Sequence, residues 1–251
     1  MDNVKKLAEL LELSRELGRE ERDLAILGEG NTSQRVDKDT FWVKASGSNL
    51  KTLGENDVTL CRFDALLPLL ETAPSDVQTE RALLAARVDK AAKKPSVEAL
   101  FHAYLLSLPE VNFVGHTHPI AINGILSSAR AEEFAARRIF PDQIVCCGAA
   151  SALVPYVDPG VPLACAIRRA VEEFIQQHGE TPREILLRNH GLIALGRTSQ
   201  AVLATTLMAE KSARIYLGAL ATGEAQFLSN ETVARISGRA DEHYRRRALG
   251  L

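Results

Sequence analysis

The 251-residue chain has no paired Cys-x-x-Cys: its four cysteines stand at 61, 146, 147 and 165, two of them adjacent. That spacing offers no structural zinc site and reads as reduced, mostly buried thiols of a cytoplasmic protein. No basic block occurs and the formal net charge is -2, which argues against nucleic acid as a partner. No run approaches the roughly 18–20 consecutive apolar residues of a membrane span, so no membrane partner is expected. The opening "MDNVKKLAELLELSREL" is charged throughout and lacks an apolar h-region, so it is not read as a secretory signal. Repeats, low-complexity tracts and convincing linkers are also missing, and a single domain over 1–251 is expected.

What is present suits a packed core: 46% of residues are apolar. Residues 2–18 have the spacing of an amphipathic helix. "GEGNTSQR" (28–35) reads as a turn cluster. "TFWVKAS" (40–46) and "DVTLCRF" (57–63) read as strands, and "DALLPLL" as a short helix. Residues 71–95 look polar and loop-like, with a helical turn or two at "TERALLAAR". A helix is expected over 96–108, between Pro95–Ser96 and Pro109. Then come a strand at "VNFVGHTHP", a helix at "IAINGILSS", and short strands at "DQIVCCG" and "SALVPYV". After a helix at "VPLACAIRRAVEEFIQQH", two strands at "EILLRNHGLIALG" bend at Gly191. A long helix follows, closed by Gly223. Strands that follow one another directly, mixed with helices, predict a layered sheet with helices on its faces.

The chemistry concentrates in a few short motifs. His116 and His118 flank one threonine in "GHTHP". In an extended strand they share a face, with Cα atoms about 6–7 Å apart, near enough to converge on one metal ion. An isolated pair of this kind is as readily a metal-free surface or core pair. His190, in "LRNHGLIALG", supplies a third imidazole, and three neutral imidazoles with an open fourth position is the pattern of a catalytic zinc site. Glu98 has two compatible readings. An acid in the first turn of a helix capped by Ser96 is favoured by the helix dipole. A helix that runs into the HTH strand also places Glu98 where a general acid/base would serve the metal's open side. The clusters "GEGNTS" and "ASGS" are ordinary turns taken singly. Together with a helix start at Ser96 they form a candidate anion cradle.

"GNTS", "SGS", "PSVE", "HTHP" and "NHGLIALG", in this order and spacing over roughly residues 5–220, resemble the class II aldolase/adducin family. That family includes fuculose-phosphate and rhamnulose-phosphate aldolases, ribulose-phosphate 4-epimerase, methylthioribulose-phosphate dehydratase and the adducin head. The resemblance implies a three-layer α/β/α fold on a largely antiparallel central sheet, and a homotetramer with interfacial active sites. It implies that His116, His118 and His190 hold one Zn2+ per chain, or another divalent ion. It makes Glu98 the acid/base, and Asn31, Ser46, Gly47 and Ser96 the phosphate-binding positions. The 4-epimerases carry Asp where this chain has Glu98. Adducin-like members are thought to lack catalysis, whereas this chain retains all three histidines. The fuculose enzyme has a second serine where this chain has Val97, so one phosphate contact is missing. The segment "IFPDQIVCCGAASALVPYVDPG" is closer to the aldolase portion of bifunctional rhamnulose-phosphate enzymes. Tyr244 stands in a tail that varies in this family and is a candidate lid residue. The implied activity is a zinc-dependent aldolase that cleaves a ketose, or ketose 1-phosphate, through a metal-stabilised enediolate. The alternatives are a dehydratase, decarboxylase or epimerase on the same zinc-enolate site, or a non-catalytic adducin-like module.

Overall fold

A computed structural model describes residues 3–72 and 74–239. Tyr244 lies outside the described residues. Seven strands form one sheet: β1 (Asn31–Arg35), β2 (Thr40–Lys44), β3 (Val58–Arg62), β4 (Phe113–Thr117), β5 (Ala152–Val154), β6 (Glu184–Leu187) and β7 (Gly191–Gly196), in the order β3-β2-β1-β4-β7-β6-β5. Every neighbouring pair is antiparallel except β5–β6. The largely antiparallel sheet implied by the resemblance is therefore present. Ten α-helices are seen among the described residues: α1 (Asn3–Leu17), α2 (Leu69–Thr72), α3 (Asp76–Ala86), α4 (Ala99–Ser107), α5 (Ile120–Leu126), α6 (Ala131–Ala136), α7 (Pro141–Cys147), α8 (Val161–His178), α9 (Ser199–Thr222) and α10 (Asn230–Ser237).

The strand period of two sorts the core into two faces. Val114, Ile185, Leu187, Ile193 and Leu195 pack with α4 and α8 on one side. Leu186 and Leu192 turn to the other side, against α5, α6 and α9, and Phe113 and Ala194 do the same beside α1 and α9. The result is three layers, helices over both faces of the sheet. β4 is central: it pairs with β1 on one edge and β7 on the other, and all five of its residues are buried.

Several sequence expectations need correction. "DQIVCCG" is not a strand but α7. Pro141 opens its first turn and Gly148 (φ +86) closes it, so a short apolar run buried on most sides is helical. Residues 31–35 are not part of a turn cluster but strand β1. The side chains of Asn31, Thr32 and Ser33 are tolerated inside because they find partners there, as when the Ser14 and Thr32 hydroxyls meet at 2.6 Å. The stretch 71–95 contains an 11-residue helix, α3, started by a reciprocal cap between Ser75 and Gln78. Of "DALLPLL" only Leu69 and Leu70 are helical, as the start of the four-residue α2. Ser96 does not begin α4, which starts at Ala99 with Glu98 at the cap position.

Among the described residues, Arg138 and Glu184 form an enclosed charged pair. Arg138 is fully buried and donates to the carbonyls of Ala135, Arg137 and Gly148 and to the Ser151 hydroxyl. Its Nη2 stands 3.6 Å from Glu184 Oε1 on β6, and the Ser151 hydroxyl also donates to that oxygen. Burial pushes the Glu184 carboxyl up, and Arg138 opposes that push. Arg138→Met should destabilise the fold by about 3–5 kcal/mol, because it strands a buried carboxylate. Adding Glu184→Gln should recover part of that loss in urea unfolding. If the double variant is as unstable as the two single losses summed, the pair is not coupled.

Candidate functional site

The three histidines converge. His116 is on β4, His118 lies just past the strand's end, and His190 closes the 188–190 turn between β6 and β7. Their ring centroids are 4.9–5.0 Å apart, and one ligand nitrogen from each lies within 4.8 Å of the others. Two glycines make this possible. A Cβ on Gly191 would fall 2.5 Å from the Thr117 carbonyl oxygen and 2.8 Å from His118 Cδ2. Gly30 adopts φ +65, and a Cβ there would meet the His116 carbonyl oxygen at 2.5 Å.

Backbone contacts fix the rings. A carbonyl can only accept, so His116 Nδ1–H donates to Leu192 O at 3.0 Å and its bare Nε2 faces His118 Nε2 at 3.1 Å. The His118 amide donates to Leu24 O, and the Asn123 side-chain amide donates to the His190 carbonyl. Just beyond His118, α5 begins with its Ala121 and Ile122 amides donating to the buried Glu210 of α9. Burial, then the neighbouring His118 and His190, hold His116 well below the usual imidazole range; burial first also lowers His190, against the pull of Glu98. Neutral imidazoles are the form a metal ion takes. Such an ion could be held here: the donor set suits it, and the one fully buried ring has its other nitrogen committed to a carbonyl, the arrangement that orients metal-binding histidines.

Glu98 closes the fourth side. Its Oε2 is 3.7 Å from His116 Nε2 and its Oε1 3.6 Å from His190 Nε2. The Asn31 side-chain amide donates to Oε2. Asn31, expected as a phosphate contact, therefore has its side chain turned to Glu98 in this structure. Ser46 and Ser96 come together across a short antiparallel contact: Ala45 bridges Pro95, the Ser46 amide donates to Lys94 O, and the Ser96 amide to Lys44 O. Ser96 Oγ accepts from the Glu98 amide at 3.3 Å, so the serine touches the backbone of the carboxylate residue. Ser46 and Gly47 are exposed, and Gly47 has φ +76.

Two residues of the site escape a reading of the sequence. Lys44 is 2% exposed and donates to the carbonyls of Gly28 and Ser48, so one ammonium ties the "GEG" loop to the "SGS" turn. Desolvation lowers its pKa, opposed by Glu98 and Asp57. His102 on α4 is fully buried and reaches both Asn31 and Ser33. Its spacing from Glu98, one helical turn, is the only signal that marks it.

Comparison with known proteins places this geometry. A family model described as Class II Aldolase and Adducin N-terminal domain matches residues 8–217. The chain is 29% identical over 206 residues to the uncharacterized oxidoreductase YuxG of Bacillus subtilis, covering 78% of this chain but spanning only 27% of that protein's length. It is 24% identical over 231 residues to a 3-oxo-tetronate 4-phosphate decarboxylase of Haemophilus influenzae, covering 91% of this chain and 96% of that protein. Among solved structures, the N-terminal class II aldolase domain of a conserved protein from Thermoplasma acidophilum superposes with a TM-score of 0.69 at 26% identity, over 86% of this chain and 96% of that one.

The buried imidazoles predict a pH dependence of folding. His102 and His116 are both held below the ordinary imidazole value, chiefly by burial. The unfolded chain takes up protons at these positions near pH 6.5, whereas the folded chain does not. The unfolded state then binds more protons, so stability must fall as pH drops below about 6.5, by up to about 1.4 kcal/mol per pH unit for each such group. Urea unfolding of chelator-treated protein at pH 7 and pH 5 measures this. His102→Gln should flatten the slope, and an unchanged slope would show that His102 is not excluded from protonation.

Proposed function

The chain belongs to the class II aldolase and adducin family, and on that premise we propose that it is a zinc-dependent lyase cleaving a ketose, foremost a ketose 1-phosphate, at the carbon–carbon bond beyond the hydroxyl-bearing carbon next to the ketone. The observation that carries this reading is the convergence of His116, His118 and His190 with the Glu98 carboxylate on their open side. The three histidines would hold the ion. When bound, it supplies a Lewis acid for the substrate's ketone and adjacent hydroxyl oxygens. Glu98 takes or returns the proton at the carbon left electron-rich when the bond breaks. Asn31 keeps one oxygen of that carboxylate occupied by an N–H. Ser46, Gly47 and Ser96 form the anion cradle beside it, within a single domain. Active sites completed at the interfaces of a cytoplasmic homotetramer belong to the same reading.

Decarboxylation is the second reading, favoured by similarity along nearly the full length to the 3-oxo-tetronate 4-phosphate decarboxylase. It asks the same of the site, since losing carbon dioxide beside a ketone leaves the same electron-rich carbon. A silent adducin-like module has no use for three converging neutral imidazoles.

Elemental analysis of gently purified protein should find about one divalent ion per chain, and His116→Ala should lose both metal and turnover. A screen of zinc-loaded protein against ketose 1-phosphates, free ketoses and 3-oxo acid phosphates separates the two readings. Full turnover by metal-free protein would end both. Glu98→Gln should keep the metal and lose about 10²–10⁴-fold in kcat. An effect on stability alone would return Glu98 to the role of a helix-terminal charge.

Val97 sets a finer expectation. It is exposed where the fuculose enzyme has a serine, and its Cγ2 would contact a side chain added at Gly160. Val97→Ser should lower KM for a phosphorylated substrate, since a hydrogen bond to a charged group contributes about 1.5–3 kcal/mol, and leave a free sugar nearly unaffected. No change for either substrate would remove the phosphate from the proposal.

A further inference from the structure

Four buried or half-buried side chains form one line of hydrogen bonds that ends on Glu98. The Ser33 hydroxyl meets His102 Nδ1 at 2.6 Å. His102 Nε2 meets Asn31 Oδ1, and Asn31 Nδ2 meets Glu98 Oε2. The backbone explains the alignment. Asn31 and Ser33 are two apart on β1 and point to one face of the sheet, while Thr32 points to the other and meets Ser14 of α1. Glu98 and His102 are four apart, one turn along α4, and lie over that first face.

The direction of every proton in the line follows from its carboxylate end. A carboxylate only accepts, so Asn31 must present its N–H to Glu98 and its carbonyl to His102. That carbonyl needs a donor, so the His102 proton sits on Nε2 and Nδ1 accepts from the Ser33 O–H. The enclosed ring is also kept neutral by burial and by the nearby His116.

We infer that His102 is a positioning residue: its Nε2–H locks the Asn31 amide in the orientation that offers an N–H to Glu98. One carboxylate oxygen is thereby held, and the other is left facing His190 Nε2 at 3.6 Å. Without this lock the amide can turn over, and its carbonyl would then repel the carboxylate. The inference rests on the reading of Glu98 as the acid/base.

The tautomer is tested without any substrate. Long-range 15N–1H spectra of zinc-loaded wild-type protein at pH 7, with His102→Gln used for assignment, should show His102 protonated at Nε2 and bare at Nδ1. A proton on Nδ1, or a doubly protonated ring, overturns the inference whatever the enzyme does. The coupling is then read in kcat on the substrate returned by the screen. His102→Phe should lower kcat by about 10–100-fold, as is usual when a partner of a site residue is removed, with metal content per chain unchanged. His102→Gln, whose amide N–H takes the place of Nε2–H, should recover most of the loss. In a Glu98→Gln background, His102→Phe should cost little more, because the residue it serves is already gone. Full additivity in that background, or equal loss in the Phe and Gln variants, overturns the positioning role. If Glu98→Gln itself turns over normally, the acid/base reading fails, and the spectrum still decides the tautomer.

Discussion

Strand β4 is paired along both edges and buried along its length, and that double constraint governs the rest of the molecule. A one-residue slip against either neighbour would exchange the two faces of the strand. His116 would leave α4 and Gly115 would take its place. The register instead sets His116 opposite Asn31 on one side and Ile193 on the other, so the buried His116 ring and the residue that meets Glu98 are joined by a backbone ladder. His118, one residue past the strand, and His190, in the turn before β7, are anchored outside the ladder, by the Leu24 carbonyl and the Asn123 side-chain amide.

The packing around this strand separates apolar from polar burial. The sheet's far edge and the α4–α8 layer bury an apolar cluster containing Phe41, Phe101 and Ile167. Near β1 the interior turns polar, and the groups that lead to the site are paired, Ser14 with Thr32, Ser33 with His102, Asn31 with Glu98, while Gln34 Oε1 is buried there with no hydrogen-bond partner among the described residues. Such groups are costly to bury alone and rigidifying when satisfied together. Phe101 joins the two regimes, stacking on His102 and meeting the edge of His116.

Much of this was legible in the sequence. The long helices and the strands at β2, β3, β4, β6 and β7 follow from periodicity and from Pro and Gly punctuation. His116, His118 and His190 stand out because three imidazoles near strand ends are uncommon among only six histidines. What was hidden shares one cause: local pattern cannot report tertiary partners. "NTSQR" looks like a turn until Ser14 and His102 are seen to satisfy it. "DQIVCCG" has too few residues for its period to separate a buried helix from a buried strand. His102 sits in "ALFHAYLLS", apolar on every side, where a histidine reads as core. Ser96 resembles a helix cap, yet it stands three residues before the helix begins and its hydroxyl serves the Glu98 amide.

Lys44 reaches beyond its own strand. Its ammonium is shared between the carbonyls of Gly28 and Ser48, and no sheet pairing joins those two loops. They have a common anchor that is neither backbone nor hydrophobic, and they cannot shift independently without leaving a buried charge short of an acceptor. Mechanically, the two glycine-bearing segments beside the histidines behave as one jaw rather than two. A contact that moves either segment is transmitted to the other through a single nitrogen.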